Sequence, residues 1–363
     1  MDESAQDRIV EMVHSRFTVA ETIRSTYAIE FRIEDADYSE RFADLARELD
    51  GGVYVSRLVR QEGGIYVIVQ KFASNKPGKI LSSPWTPRIL FGVVCIFVAV
   101  DGYYRTIFAN QLAYVGDPLQ MAVLYTLALL GILGVHEAGH LAAARVHRLK
   151  TTWPFFIPGL PILGIPTFGA FIRSSGLTIN RSILFDVAIA GPVAGAIVAV
   201  TVAVAGAWSA PFLDTQTTDM LRNQNILFDF QLGQPLLLYG ALEVFGKNSG
   251  GTVVLTPVLW ASWIGFLITF LNLLPAWQLD GGHMARTMMR ARTHQYATFA
   301  SMAVLVLLNY WVMALLILVL SMRNPSATPL DDVTPLPRNR KRAYIGVVVL
   351  AILCAPLPAW LLP

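Results

Sequence analysis

The chain has 363 residues, of which 54% are hydrophobic and only 15% charged, and its mean hydropathy is +0.51. This composition excludes an ordinary soluble globular protein and predicts a polytopic membrane protein with a modest soluble part. The net charge of +3 is too small to indicate nucleic-acid binding, and the two cysteines, Cys95 and Cys354, are too few for a disulfide framework or a thiolate metal cluster.

Residues 1–80 are mixed in polarity and are predicted to form a small α+β domain in the cytoplasm. Its expected elements, in chain order, are a helix in Met1–Ile23, a strand in Tyr27–Ile33, a helix in Tyr38–Leu49, and a hairpin of strands in Val53–Val59 and Ile65–Phe72. The sequence of this domain contains no evident catalytic set of residues, so binding or regulation is its expected role. Residues 81–88, at the end of a proline-containing stretch, form the expected linker.

Apolar stretches of the length that a bilayer requires follow in residues 89–322, the expected transmembrane domain, and again near residue 350. The predicted spans are Ile89–Phe108, Leu119–Arg145, Ile183–Trp208, Val253–Leu274, Ala297–Met322 and Ile345–Leu362. Asn309 lies at the middle of the fifth stretch, which is therefore either one tilted span or a hairpin of two short segments. The expected fold class is polytopic α-helical, with six spans or five spans and a hairpin, and residues 323–363 supply a basic loop and the last helix.

Basic residues give the expected orientation of these spans. Arg145, Arg148 and Lys150 follow the second span directly, and the positive-inside rule places that end in the cytoplasm. The N-terminal domain is then cytoplasmic as well, because two spans separate it from this end.

The segment Trp153–Ile172 is apolar, yet its prolines and glycines exclude an ordinary spanning helix. Irregular backbone at membrane depth is tolerated only when it is buried in protein or lines a cavity, so we expect a re-entrant loop or a β-hairpin beside the metal site described next. Its end, Gly169-Ala170-Phe171, has the small-then-bulky character of an edge strand that can bind an unwound substrate peptide, and Phe168 is expected to bind substrate with it. A passive plug between helices is the alternative.

The second predicted span contains His136-Glu137-Ala138-Gly139-His140 toward its end. Residues four apart share one face of a helix, so the two imidazoles can hold one Zn²⁺, and Glu137 can serve as general base toward a water molecule. Ionisable groups at membrane depth are costly, which favours a functional role over a chance motif or polar groups that are merely satisfied inside a bundle.

A second polar stretch follows the fourth predicted span and runs from Asn272 through Pro275 to Asp280-Gly281-Gly282. Pro275 cannot continue a regular helix, and the two glycines free the backbone beside Asp280. A carboxylate at this break is well placed to be a third zinc ligand. Two histidines and one carboxylate leave the fourth position of a tetrahedral Zn²⁺ for water, which is the pattern of a catalytic site.

The sequence gives less specific indications of the roles of several other polar and small residues. His283 is either a group that supports the metal ligands or a solvated side chain, and His294 is expected at the surface. Asp101 is expected to be a helix cap or an interfacial group. Gly191 and Gly195 form a small-residue face that lets another helix approach closely, and ordinary packing is at least as well supported for them as a direct catalytic role.

With both polar stretches in this order and setting, the chain resembles the site-2 protease family (peptidase family M50) of intramembrane zinc metalloproteases. The resemblance covers about residues 119–283, and Pro166–Phe171 and Gly191-Pro192 are similar to that family's loop and third-span motifs. The compact form without a recognisable PDZ domain is most similar to the bacterial and plastid branch.

The resemblance implies a three-helix catalytic core that cleaves membrane-anchored, single-span substrates within or near the bilayer. It implies His136, His140 and Asp280 as ligands of Zn²⁺, Glu137 as the catalytic base, and Asn272 as a residue that helps to stabilise the oxyanion.

The main alternative function is a metal or proton transporter that uses the same His/His/Asp site for transit. The glutamate between the two histidines and the lack of repeated halves argue against it. The expected partners are a membrane-anchored protein substrate and the lipid bilayer, without nucleic acid, and no oligomeric state is predicted. The expected location is a bacterial inner membrane, with the N-terminal domain and the rim of the active site toward the cytoplasm.

Overall fold

The structure is a computed structural model that describes residues 3–71, 83, 85–149, 151–160, 165–171, 178–227, 232–323, 328–358 and 361–362. Most of the described residues are helical, and the sheets are small. The fold class is therefore that of a predominantly helical protein, as the sequence predicts.

The N-terminal unit is a four-stranded antiparallel sheet that packs against two helices. Its elements are α1 (Glu3–His14), β1 (Val19–Arg24), β2 (Ala28–Ile33), α2 (Ser39–Leu49), β3 (Tyr54–Gln61) and β4 (Gly64–Lys71). The spatial strand order is β1-β2-β4-β3. The strand, the second helix and the hairpin that the sequence predicts after residue 26 are confirmed.

The helix predicted over Met1–Ile23 is wrong in its second half. Helix α1 ends at His14, and Val19–Arg24 forms an edge strand that pairs with β2. This segment contains the β-branched residues Val19, Thr22 and Ile23, which suit a strand better than a helix.

The N-terminal sheet continues into later parts of the chain. Leu58 of β3 and Asn180 each form a parallel bridge with Asp331, so two short segments extend the edge of the sheet. Ile179 and Leu330 are buried in the same hydrophobic cluster as the core of the sheet. The N-terminal unit is therefore packed directly on the helical part of the protein.

The central helices and a small hairpin follow. They are α3 (Thr86–Ala109), α4 (Pro118–Val146), β5 (Phe155–Leu160), β6 (Ile165–Phe171) and α5 (Arg181–Ser209). Within the described parts of the chain, α3, α4 and α5 are long and apolar enough to cross a membrane. Helix α4 packs against both α3 and α5, so the metal motif at its end lies at a contact between helices.

Strands β5 and β6 pair antiparallel, with Phe156 opposite Ala170 and Pro158 opposite Thr167. The β-hairpin alternative predicted for Trp153–Ile172 therefore holds for its described residues, and the connecting residues 161–164 and residue 172 lie outside them. The hairpin packs on α3 and α4. Phe156 is buried in the core that these helices share.

The remaining elements complete the helical part. They are β7 (Phe212–Asp214), α6 (Thr215–Asn223), β8 (Gln234–Pro235), α7 (Leu236–Val244), β9 (Gly251–Val253), α8 (Pro257–Leu273), α9 (Asp280–Met288), α10 (Ala291–Leu307), α11 (Trp311–Arg323), α12 (Arg338–Cys354) and β10 (Pro356–Leu357). Strand β7 pairs with β9, and β8 pairs with β10. Helix α8 packs against α4 and α5, which brings the second polar stretch toward the metal motif.

The structure does not confirm six spans. Helix α8 has 17 residues and is apolar but shorter than the three candidate spans. The fifth predicted stretch forms two packed helices, α10 and α11, because the chain turns at Asn309, whose φ is 68°. The last predicted span, Ile345–Leu362, is wrong in its bounds: α12 ends at Cys354, since the proline at 356 forces extended backbone on Ala355.

Asp101 is not a helix cap. It lies inside α3 with 8% of its surface exposed, and it pairs with Arg105 one turn along the helix, 2.7 Å away. Its carboxylate also accepts a 2.7 Å hydrogen bond from the hydroxyl of Tyr125 on α4. The Arg105 guanidinium lies 4.2 Å from the ring centre of Trp260 on α8. These polar contacts satisfy a buried carboxylate and tie three helices together.

Candidate active site

The two predicted histidines and the predicted aspartate lie together. His136 Nε2 lies 3.2 Å from His140 Nε2, and Asp280 Oδ2 lies 3.4 Å and 3.3 Å from these two nitrogens. Four ligands placed tetrahedrally at about 2.05 Å from Zn²⁺ lie about 3.3 Å from one another. The three donor atoms therefore have the spacing that one tetrahedral Zn²⁺ requires, although 140 residues separate His140 from Asp280.

Glycines of α5 make room for the two histidines. A Cβ atom at Gly191 would lie 2.2 Å from His140 Nε2, and a Cβ atom at Gly195 would lie 3.0 Å from His136 Cβ. On the other helix, a Cβ atom at Gly139 would lie 2.5 Å from the carbonyl oxygen of Ala190. The small-residue face predicted for close packing thus lies directly against the imidazoles.

The orientation of His140 is fixed by the backbone of α5. Its Nδ1 lies 2.7 Å from the carbonyl oxygen of Val187, so Nδ1–H donates a hydrogen bond and Nε2 keeps its lone pair for a metal. The sequence offers no signal for this contact because the acceptor is a main-chain group, but Gly191, one turn later, marks where the two helices approach closely.

Asp280 reaches the histidines because the chain breaks after α8. Leu274 is extended before Pro275, and Trp277 has a φ of 44°. Helix α9 is therefore a separate helix that does not continue α8, and Asp280 lies in its first turn. A Cβ atom at Gly281 would lie 2.1 Å from the carbonyl oxygen of Leu273. A side chain at this glycine would therefore push α9 away from α8 and the carboxylate away from the histidines.

Two further predicted residues lie at the same place. Glu137 is 6% exposed, and its carboxylate interacts electrostatically with both histidines and with Asp280. The side-chain amide nitrogen of Asn272, near the end of α8, lies 3.4 Å from His136 Nε2. A base and a hydrogen-bond donor are thus available beside the three donor atoms.

The four predicted substrate-binding residues, Phe168 to Phe171, belong to β6, which contacts α4. Gly169 has a φ of 95°, a conformation that favours glycine, and it accompanies an irregularity in the pairing with β5. Ala170 packs against the core of the helical part. The structure describes the backbone of Phe168 and Phe171 but not their side chains.

The histidines outside the motif differ from expectation. His283, on α9, is partly buried and interacts electrostatically with Asp280 and His140, which favours a supporting role over a solvated one. His294 is not at the surface: it is 3% exposed and hydrogen-bonds to the backbone of Gly282. Its flanking residues are polar, but α10 starts by packing behind α9, and this tertiary contact buries the ring.

The chain matches known proteins over the part that contains this site. The sequence model of peptidase family M50 matches residues 124–318, more than half of the chain. The chain is 30% identical to the probable zinc metalloprotease EGY2, chloroplastic, of Arabidopsis thaliana, over 78% of this chain and 51% of that protein. It is 29% identical to EGY1 of the same plant, over 64% and 42% of the two chains, and 28% identical to EGY3 of Oryza sativa subsp. japonica, over 76% and 48%.

The chain spans about half the length of these curated relatives. No solved structure gives a significant match. The named zinc metalloproteases and the spacing of the three donor atoms agree on Zn²⁺ as the cofactor. The matched region contains both polar stretches and the helices that carry them, and the chain belongs to peptidase family M50, the site-2 protease family.

Proposed function

We propose that this protein is an intramembrane zinc metalloprotease that hydrolyses peptide bonds of membrane-anchored substrates within or near the bilayer. The observation that carries the proposal is the set of three donor atoms, 3.2–3.4 Å apart, at the contact of two helices long enough to span a membrane. Glu137 beside them supplies the base that hydrolysis needs and that a site for metal transit does not.

His136, His140 and Asp280 would hold the metal, and each other residue would have a separate task. A bound Zn²⁺ polarises the scissile carbonyl and lowers the pKa of water to about 7. Glu137 accepts the proton of the attacking water and passes it to the leaving amine. The amide of Asn272 donates a hydrogen bond to the oxygen that becomes negatively charged.

A helical substrate must unwind before it is cut, because its carbonyl groups are bonded within the helix. Among the described residues, β6 pairs only with β5, so its other edge has no strand partner. An unwound peptide could pair with that edge through main-chain hydrogen bonds. We therefore propose Phe168, Gly169, Ala170 and Phe171 as the segment that binds substrate.

A Phe168→Pro variant tests this role of the hairpin. Proline removes one amide N–H from β6 without changing any metal ligand. We expect normal zinc content and at least roughly tenfold slower cleavage of a membrane substrate, since one main-chain hydrogen bond to an unwound peptide is worth about 1 kcal/mol and distortion of the edge adds to it. Phe168→Ala is the matched control, because it also loses the ring but keeps the N–H. Equal cleavage by the two variants would leave the hairpin as packing between helices.

The contacts of the N-terminal unit support its placement on the same side of the membrane as the end of α4 that carries His136 and His140. Strand β3 of the unit pairs with Asp331, which in turn pairs with Asn180 just before α5, and His147, just after α4, lies 3.1 Å from Asp186 of α5. Basic residues follow α4 and begin α12. We propose that this side faces the cytoplasm, in accordance with the positive-inside rule, and that the membrane is a bacterial inner membrane.

Cleavage by the full chain in proteoliposomes tests the function. The substrate is a single-span reporter helix, and we expect cleavage that stops when a zinc chelator is added and resumes when zinc is returned. Asp280→Ala should reduce both bound zinc and cleavage, because it removes one of three protein ligands. The variant's zinc content is measured by metal analysis.

The possible outcomes separate the functions. Full zinc occupancy in Asp280→Ala would exclude this residue from the ligands. Cleavage that persists in the chelator would exclude a zinc protease. Zinc entry into the vesicles, without any cut reporter, would favour the transporter.

A further inference from the structure

Asp332 lies outside the metal site but joins two of the helices that surround that site, α5 and α9. Its carboxylate accepts hydrogen bonds from Arg286 Nη1 at 3.2 Å and Nη2 at 2.7 Å. It also accepts bonds from Arg181 Nε at 3.1 Å and Nη2 at 2.9 Å. Arg286 belongs to α9, six residues after Asp280, and Arg181 is the first residue of α5, whose glycines contact both histidines.

The pair of Asp332 with Arg286 is not an ordinary surface ion pair. Arg286 is 4% exposed, and its Nη1 also donates to the carbonyl oxygen of Met289 at 3.1 Å. A planar guanidinium that forms a two-pronged contact with a carboxylate holds both groups in one relative orientation. Asp332 therefore restrains how α9 can rotate or shift relative to α5.

The backbone beside Asp332 is itself held on two sides. The carbonyl oxygen of Leu330 accepts a 2.8 Å bond from Leu58 N–H of β3, and Leu330 N–H donates a 2.9 Å bond to the carbonyl oxygen of Thr178. The segment thus bridges the N-terminal sheet and the residues that lead into α5 through isolated β-bridges at Asp331. This arrangement makes Asp332 a fixed point rather than part of a free loop.

We propose that Asp332 is a positioning residue of the metal centre: through Arg286 it holds α9 in the orientation that keeps Asp280 beside the two histidines. The proposal rests on the proposed role of Asp280 as a zinc ligand. Groups that orient metal ligands typically change metal affinity by about 10- to 100-fold when they are removed. The N-terminal sheet contributes to the same support because its edge holds the backbone next to Asp332.

The test compares zinc affinity in full-length variants purified in detergent. Asp332→Asn is expected to bind zinc about 10- to 100-fold more weakly than the parent. After Co²⁺ substitution, its visible absorption should also show a less tetrahedral site. Arg340→Gln is the matched control, because Arg340 forms an equally close pair with Asp186 of α5 but belongs to α12. We expect this control to keep the parent's affinity and spectrum.

Two further variants separate positioning from general stability. Arg286→Met combined with Asp332→Leu removes both charges of this pair, so the buried guanidinium of Arg286 is not left without its carboxylate. Arg181, whose side chain is 22% exposed, keeps its 2.6 Å hydrogen bond to the main-chain oxygen of residue 332. Weak zinc binding in this double variant, with a metal-free form that melts like the parent, supports positioning by the pair. Asp332→Glu restores the carboxylate and should regain part of the affinity.

Parent-like zinc affinity in Asp332→Asn, or in the double variant, overturns the inference. The Asp280→Ala variant keeps this failure distinct from that of the proposed site. If Asp280→Ala weakens zinc binding and Asp332→Asn does not, only the positioning role fails. If Asp280→Ala also retains full zinc, the ligand assignment fails and the positioning role fails with it.

Discussion

A Glu137→Gln variant is expected to retain zinc and to cleave a membrane substrate about 10²- to 10⁴-fold more slowly than the parent, the range that a general base contributes. Glutamine has nearly the same shape as glutamate but cannot accept a proton at neutral pH. Glu137 lies beside the three donor atoms without being one of them, so its loss should leave zinc binding intact. The measurement pairs metal analysis with the rate of reporter cleavage in proteoliposomes.

His136→Ala provides the contrast for this variant, because it removes a donor atom and should lose zinc and cleavage together. A Glu137→Gln protein that folds and binds zinc should also hold uncut substrate, and the membrane proteins that accumulate with it would identify the natural substrates. Cleavage at a rate close to that of the parent would rule out Glu137 as the base.

The three side chains that lie together at the site could be selected from the sequence because few residue patterns can hold Zn²⁺. His136 and His140 are one helical turn apart, and a helix puts them on one face whatever the rest of the fold does. Asp280 could be predicted because Pro275 and Gly281 mark a break in the helix beside a carboxylate. Their meeting across 140 residues could not be derived from either stretch alone.

The contacts that hold the site together were not predictable, for physical reasons. Val187 contributes a carbonyl oxygen, which every residue has. Asp332 is polar in a polar stretch, and its partners lie 46 and 151 residues away in the chain. His294 has polar neighbours in sequence, yet it is buried because α10 packs behind α9.

The ends of the helices could not be predicted from the sequence either. Hydropathy identified the apolar stretches, but it does not say where a helix begins or stops. In α12 the helix starts at Arg338, among basic residues, and ends at Cys354 before the prolines. The edge strand β1 was missed because its exposed and half-buried residues do not alternate in polarity, and pairing with β2 decides its conformation.

The second large effect is expected at Gly191. The His140 ring packs against this glycine and is also held by a hydrogen bond to α5. An added Cβ atom would lie 2.2 Å from His140 Nε2, the proposed donor atom, and 2.5 Å from two ring carbons. The His140 ring cannot turn away easily, since its Nδ1 is hydrogen-bonded to the carbonyl oxygen of Val187, which lies on α5 like Gly191. The helices can separate only by giving up the close packing at Gly139.

We therefore expect Gly191→Ala to weaken zinc binding by more than about 100-fold, beyond the range for residues that only support a ligand, and to abolish cleavage. Gly134→Ala is the matched control: it is the same substitution on α4, two residues before His136, and its Cβ atom would meet nothing within 4 Å. The control should keep its zinc, because alanine fits that space and is a better helix former than glycine. Equal zinc affinities in the two variants would show that α5 does not confine His140, and the close contact of the two helices would then have no part in forming the metal site.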